Sequence, residues 1–177
     1  MRILIYGVTG SGKSTLAARL SRETGLPLTL VDELTWKENW EEVPADKQRE
    51  IFANIAAGDT WILDTAYSKW IEEVLPRTEL IVGLDYPRSV SFWRLFRRSI
   101  RRAVTKEPVC NGNTESWRKL LSMDSILVWH FKSFDKKRAR IRKWNSEWPE
   151  RVIVVSHPRD LEAAISEVKL RLTNELA

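Results

Sequence analysis

Short, almost unbroken apolar runs alternate along this chain with longer stretches in which apolar residues recur every three or four positions. The runs are Ile3 to Tyr6, Leu28 to Val31, Thr60 to Leu63, Leu80 to Leu84 and Val152 to Val155. Each is short and apolar on both sides of the chain, the pattern of a strand buried on both faces. Between them the three-to-four spacing predicts helices. The first holds Leu16, Ala17 and Leu20 and should end near Thr24-Gly25. A second runs from 46 to 57, with Ile51, Phe52 and Ile55 on one face and Gly58 as its stop. Others are expected over about 69–75, ended by Pro76, then 88–103, 120–145 and 159–176. Residues 105–117, with Pro108, Gly112 and several small polar residues, read as a long loop. There is no repeat and no low-complexity linker. Strands alternating with helices predict one α/β domain built on a five-stranded parallel sheet with helices on both faces.

In such a sheet, ligands bind beyond the carboxyl ends of the strands. That edge gathers the segment after the first strand, Asp32, Asp64, Asp85 and the turn Ser156-His157-Pro158. The segment after the first strand reads Gly7-Val8-Thr9-Gly10-Ser11-Gly12-Lys13-Ser14, a full match to G-x-x-x-x-G-K-[ST] in the strand–loop–helix setting that motif needs. Glycines let backbone N–H groups close around a phosphate, and the following helix aims its positive end at the same point. Lys13 can reach the β- and γ-phosphates, and the Ser14 hydroxyl can ligate Mg²⁺. A nucleoside triphosphate is therefore the expected ligand. Asp64 and Asp85, each closing an apolar run, are both candidates for the carboxylate that organises Mg²⁺.

Length and composition narrow the setting. The 177 residues suit one domain with room for a small lid, and no segment is long and apolar enough to span a membrane. The apolar run that opens at the start of the chain reads as a strand and not as a leader, and the single cysteine, Cys110, reads as an incidental loop residue. A reducing, cytoplasmic location is expected. The net charge of +5 is concentrated: residues 88–143 carry 16 basic and 4 acidic side chains, a net of +12, and the remainder is net negative. Such a block can clamp a polyphosphate or lie along nucleic acid. The chain holds nine tryptophans, most of them expected in or against the core.

The order of phosphate loop, strand ending Val31-Asp32, strand ending Leu63-Asp64, and Leu84-Asp85-Tyr86-Pro87-Arg88 before an arginine-rich helix resembles the adenylate-kinase-like small P-loop kinases. Trp36 and Trp40, the stretch Trp61 to Tyr67, and Arg88 followed by Trp93-Arg94 and Arg97-Arg98 are similar to the DNA topology modulation proteins within that group. The resemblance covers essentially the whole chain. It implies a P-loop NTPase fold of three α/β/α layers with strand order 2-3-1-4-5, like the nucleoside monophosphate kinases. A segment over 32–58 would cover the acceptor, and a lid insertion, with its loop at about 105–117, would lie between long helices. It implies that Gly7, Thr9, Gly10, Ser11, Gly12, Lys13, Ser14 and Thr15 hold the donor phosphates, that Asp64 organises Mg²⁺ with Ser14, and that Pro158, in the turn 156–160, flanks the adenine. Arg94, Arg97 and Arg98, and further along Arg101 and Arg102, stand where the lid arginines stand. Where adenylate kinases have Gly-Phe-Pro-Arg after the third-strand Asp, this chain has Thr65-Ala66-Tyr67-Ser68-Lys69, which lacks the arginine that grips AMP. Lys69 offers a point charge in place of a bidentate fork.

The expected activity is transfer of the γ-phosphoryl group of ATP, with Mg²⁺, to a nucleotide, a nucleoside or another small hydroxyl or phosphate acceptor. Lys13 and the arginines would neutralise charge, and Asp32 would orient or deprotonate the acceptor hydroxyl. The alternative partner is nucleic acid, held by the basic block in a nucleotide-dependent or DNA-topology-regulating protein. The second basic stretch, Lys136 to Lys143, reads as a solvated helix face. Oligomeric state and the acceptor are left open.

Overall fold

The structure, a computed structural model, describes every residue except Ala66, Ser68 and Ala177 and the side chains of Glu175 and Leu176. Strands β1 (Arg2–Gly7), β2 (Leu28–Leu30), β3 (Trp61–Thr65), β4 (Leu80–Leu84) and β5 (Val152–Val155) pair in parallel in the order β2-β3-β1-β4-β5. This is the expected sheet. The helices are α1 (Lys13–Thr24), α2 (Val31–Thr35), α3 (Ala45–Ala56), α4 (Ile71–Val74), α5 (Arg88–Thr105), α6 (Trp117–Leu120), α7 (Ile126–Glu147) and α8 (Leu161–Leu176).

Alternation along β1 divides the core. Ile3 and Ile5 face one layer, with Leu16, Ala17 and Leu20 of α1 and Ala164, Ile165 and Val168 of α8. Leu4 and Tyr6 face the other, with Phe52 of α3, Trp70, and Ile141 and Trp144 of α7. Both layers pack mainly apolar side chains against the sheet, which is why the strands are largely apolar on both faces. On the second layer α7 lies close against β4: a Cβ on Gly83 would stand 2.6 Å from Ile141 Cγ2, so only glycine fits under this helix.

Several boundaries differ from the expected ones. β2 stops at Leu30 because the Asp64 carboxylate accepts the Val31 N–H at 3.0 Å and starts α2 there. The helix expected over 69–75 is the single turn α4 followed by a 3₁₀ turn through Pro76. The helix expected over 120–145 is two helices. Ser116 caps α6 and Ser125 caps α7, each hydroxyl accepting a backbone N–H three residues on, so the chain breaks between them. The loop expected at 105–117 is the segment 106–116, with a short antiparallel bridge between Val109 and Asn113. Among the described residues no helix is long and apolar enough to cross a membrane.

Candidate active site

The loop between β1 and α1 opens at the carboxyl edge of the sheet, where β1 is flanked by β3 and β4. The first N–H groups of α1, from Lys13 to Thr15, have no partner within the helix and face this mouth. Gly10 sits at φ 83°, and a Cβ there would meet the Ser91 carbonyl oxygen at 2.4 Å, so α5 closes directly on the loop. Gly7 is buried at the end of β1, while Thr9 and Gly12 are half-buried and Ser14 and Thr15 exposed at the rim. Ser11 N–H donates to Val8 O at 3.2 Å, and Lys13 Nζ is folded back on the same carbonyl at 3.1 Å.

Ser14 Oγ donates to Asp64 Oδ2 at 2.5 Å. The other Asp64 oxygen takes the Val31 N–H, so among the described residues this buried carboxylate is held by two neutral donors, and the Lys13 ammonium acts on its charge from the loop without a direct ion pair. Burial pushes the Lys13 ammonium below its ordinary range, while Asp64 and Asp32 pull it back up and Arg98 adds to the depression. Lys13, Ser14, Asp32, Asp64 and Arg98 thus feel one another within one cluster. The Ser14–Asp64 pair is a hydroxyl and a carboxylate, hard oxygen donors that suit Mg²⁺. Among the described residues there is no cluster of three or more His, Cys, Asp or Glu able to hold a metal alone.

Asp32, exposed on α2, receives the Tyr67 hydroxyl on Oδ1 at 2.9 Å, and Tyr67 in turn accepts the Trp36 indole N–H at 2.8 Å. Burial and the Asp32 carboxylate push the Tyr67 phenol well above its ordinary range, so it stays a neutral donor. Helix α2 and the segment after it are strapped to the loop 106–116. Cys110 Sγ donates to Asp32 O at 2.8 Å, Asn111 Nδ2 to Glu33 O at 2.7 Å, and Asn113 Nδ2 to Lys37 O at 2.8 Å. Asn113 Oδ1 accepts the Trp40 backbone N–H at 2.7 Å. Burial raises the Cys110 thiol to about 11, which keeps it protonated and inert.

The structure distributes the arginines of α5 unevenly. Arg94 lies against the phosphate loop, Nη1 3.4 Å from Ser11 O, with its guanidinium over the Tyr86 ring. Arg98 is half-buried, held below its usual range by burial and by Arg102, and it feels both Glu115 and Asp32. Arg97 is exposed and is not brought to this cluster. Arg101 pairs with Glu107 and Arg102 with Glu115. Lys69 pairs with Glu42 at 2.6 Å. Pro158 opens a 3₁₀ turn after β5, where the His157 ring accepts the Arg159 N–H. Asp85, the second strand-end carboxylate, is paired with Arg138 and Arg142 of α7. Ala66 and Ser68, within the stretch that carries the family resemblance, lie outside the described residues.

Helix α7 corrects the reading of Lys136–Lys143 as a solvated face. Lys137, Ile141 and Trp144 are buried, Arg138 reaches Asp85, and Arg140 Nη1 reaches the Tyr6 hydroxyl at 3.3 Å. Nearer its start, buried His130 meets Thr9 O of the phosphate loop through Nδ1 at 3.1 Å. These residues escaped the sequence reading because they sit in a run of lysines and arginines. The available signal was spacing: 130, 134, 137, 141 and 144 form one helical stripe, and all five are buried.

Sheet order, loop and helix positions are those of a known architecture. The fold is that of a P-loop kinase. It is similar to the crystal structure of a gluconokinase from Sinorhizobium meliloti 1021, at 16% identity and TM-score 0.57, covering 98% of this chain and 96% of that one. It is similar as well to a shikimate kinase from Bacteroides thetaiotaomicron, at 16% identity and TM-score 0.55, covering 98% of both chains. No protein-family model and no curated protein matches the chain. At such identities the likeness establishes the fold, and the activity has to be argued from the site.

Proposed function

We propose that the protein is an ATP-dependent small-molecule kinase that passes the γ-phosphoryl group to a nucleotide, a nucleoside or another small hydroxyl or phosphate acceptor. The observation that carries this reading is the Ser14 Oγ–Asp64 Oδ2 contact at 2.5 Å, set at the mouth of a complete phosphate loop with Lys13 and Asp32 in the same charge cluster. The gluconokinase and shikimate kinase folds support it.

Phosphoryl transfer is mainly a matter of placement and charge. The loop from Gly7 to Thr15 wraps the donor phosphates, and Lys13 leaves the Val8 carbonyl to anchor the terminal ones. Ser14 and Asp64 would hold Mg²⁺, which would supply positive charge against the phosphates. Arg94 and Arg98, with Arg97 once a lid closes, meet the charge on the transferring group. Pro158 flanks the adenine. Asp32, steadied by Tyr67, takes the proton of the acceptor hydroxyl as its oxygen bonds to phosphorus. The bond from phosphorus to ADP then breaks, and ADP leaves with the electron pair. The strapped loop 106–116 and the segment after α2 together wall off the acceptor side from water. The missing AMP-gripping arginine directs attention to acceptors other than AMP.

The test is ADP release with ATP and Mg²⁺ over a panel of nucleoside monophosphates, nucleosides and small hydroxy acids. Acceptor-dependent release is expected. A protein that binds ATP yet shows no dependence on any acceptor contradicts the reading.

A second reading follows from one feature. Trp93, Trp117 and Trp129 are 57%, 48% and 54% exposed within the strongly basic stretch, a combination that suits stacked bases of single-stranded nucleic acid and the kind of role named in the DNA topology modulation proteins. Binding that weakens steeply with salt would favour it, and no binding at low salt would remove it.

A further inference from the structure

Lys137 is the one lysine of the basic stretch that the fold buries, at 7% exposure. Among the described residues its Nζ has neither a hydrogen bond nor an ion pair and faces only the Trp129 ring, and it is not among the fully buried polar atoms, so a buried stem ends in an ammonium that an incoming anion can reach. Its neighbours along the α7 stripe explain where it goes. His130 ties the start of α7 to the phosphate loop at Thr9 O, and Arg140 ties the next turn to Tyr6 at the end of β1. Side chains on a helix lean toward its start, so Lys137 leans back toward the loop, and its Nζ lies 6.0 Å from the Trp129 ring centre. The charges that act on it come from three elements: Lys13 on α1, Asp32 on α2, and Arg140 and His130 on α7 itself. Two lysines thus feel each other's charge, Lys13 on the loop side and Lys137 on α7, and Lys137 also feels the acceptor-side carboxylate Asp32. Among the described residues the second has only the Trp129 ring as a partner.

We propose that Lys137 is a second phosphate-binding lysine, which contacts the terminal phosphoryl group of the bound nucleoside triphosphate from the side opposite the phosphate loop. This inference rests on the kinase reading and assigns a contact that reading does not need. Such an anion would give the Lys137 ammonium charge-assisted hydrogen bonds, and it explains why a buried helix stripe that His130, Phe134, Ile141 and Trp144 otherwise make holds a lysine. Burial and Lys13 lower the Lys137 ammonium to about 7 in the free protein, which agrees with a site waiting for an anion.

The experiment compares ATP and ADP, each with Mg²⁺, by calorimetry on the wild type, Lys137→Met and Lys137→Gln. Methionine keeps the length and apolar stem without the charge, and both variants are checked for melting temperature. The proposal expects both variants to fold, to lose about ten-fold or more in ATP affinity, and to change ADP affinity by no more than about two-fold, because ADP lacks the contacted group. Equal loss for ATP and ADP, or loss for neither, overturns it. A lysine with a merely structural role would lower melting temperature and both affinities together, which also overturns it. If the wild type binds neither nucleotide, the kinase reading itself fails, and that result is distinguishable because it appears before any substitution is made.

Discussion

Asp64 and Asp85 end the two strands that flank β1, and along the chain they look alike: each closes an apolar run at the same edge of the sheet. Their surroundings differ completely. Asp64 is touched by a hydroxyl and a backbone N–H, and among the described residues the cation that acts on it is Lys13, without a direct ion pair. Asp85 lies between Arg138 and Arg142, which answer its charge in full. The same contrast appears between neighbours on α7, where Arg138 is paired and Lys137 is not. Paired charges hold the molecule together, and uncompensated buried charges mark where a charged ligand belongs.

The contrast breaks most sharply at the carboxylate itself. Asp64→Asn keeps the shape and can still accept from Ser14, but it loses the charge, so turnover should fall about 1,000-fold with little change in melting temperature. Near-normal turnover would place Asp64 with Asp85 as a structural acid. Lys13→Ala should bring a loss of similar order, again with the fold intact, since Lys13 serves the loop mouth and not the core. Both are read by phosphoryl transfer with the best acceptor from the panel, next to a thermal melt.

The arginines of α5 sharpen the comparison at a smaller scale. Arg98 shares the charge cluster with Lys13 and Asp32, whereas Arg97 points outward in this conformation. Arg98→Ala should lower turnover about 100-fold while ATP affinity changes far less, the mark of a contact made in the transition state. Arg97→Ala should do the same only if a lid closes over the site. Kinetics of the two variants side by side separate these cases, and unchanged turnover in both removes the α5 arginines from the chemistry.

The sheet and phosphate loop were legible in the sequence because they rest on local pattern: apolar runs of strand length, a glycine-rich motif and acids at strand ends. The rule that places ligands at the carboxyl edge gathered Asp32, Asp64 and Asp85 there, and only the family resemblance singled out Asp64 as the partner of Ser14. The difference between Asp64 and Asp85 was not legible, because it depends on Arg138 and Arg142, more than fifty residues away and brought in by the packing of α7 under Gly83. The start of α2 was missed for a similar reason, since Val31 is turned by a carboxylate from β3. The strap from Cys110, Asn111 and Asn113 onto the segment after α2 was hidden by its sequence distance and by the ordinary look of a polar loop.

On the paired side of the comparison the effect should be on stability alone. Asp85→Asn leaves two arginines without their partner, and Arg138 and Arg142 are 27% and 64% exposed, so solvent screens part of the loss. A destabilisation of about 2 kcal/mol is expected in denaturant melts, with turnover per folded molecule unchanged. A fall in turnover without loss of stability would mean that Asp85, too, serves the ligand.

The smallest expected effect is the pH dependence of the unpaired lysine. Lys137 titrates at about 7 in the folded, ligand-free protein, against about 10.4 in an unfolded chain. Between those values the unfolded state binds a proton at this position that the folded state does not. Stability contributed by this group therefore rises with pH across that window, and below about 7 the full penalty is present. Lys137→Met has no such proton, so its stability advantage over the wild type should be largest near pH 7. It should then shrink by about 1 kcal/mol per pH unit toward pH 9. Urea melts of both proteins at pH 7, 8 and 9 measure that difference directly, and other groups cancel because they are common to both. A difference that stays constant with pH would show that Lys137 is charged throughout and already compensated, which would move it to the side of Asp85.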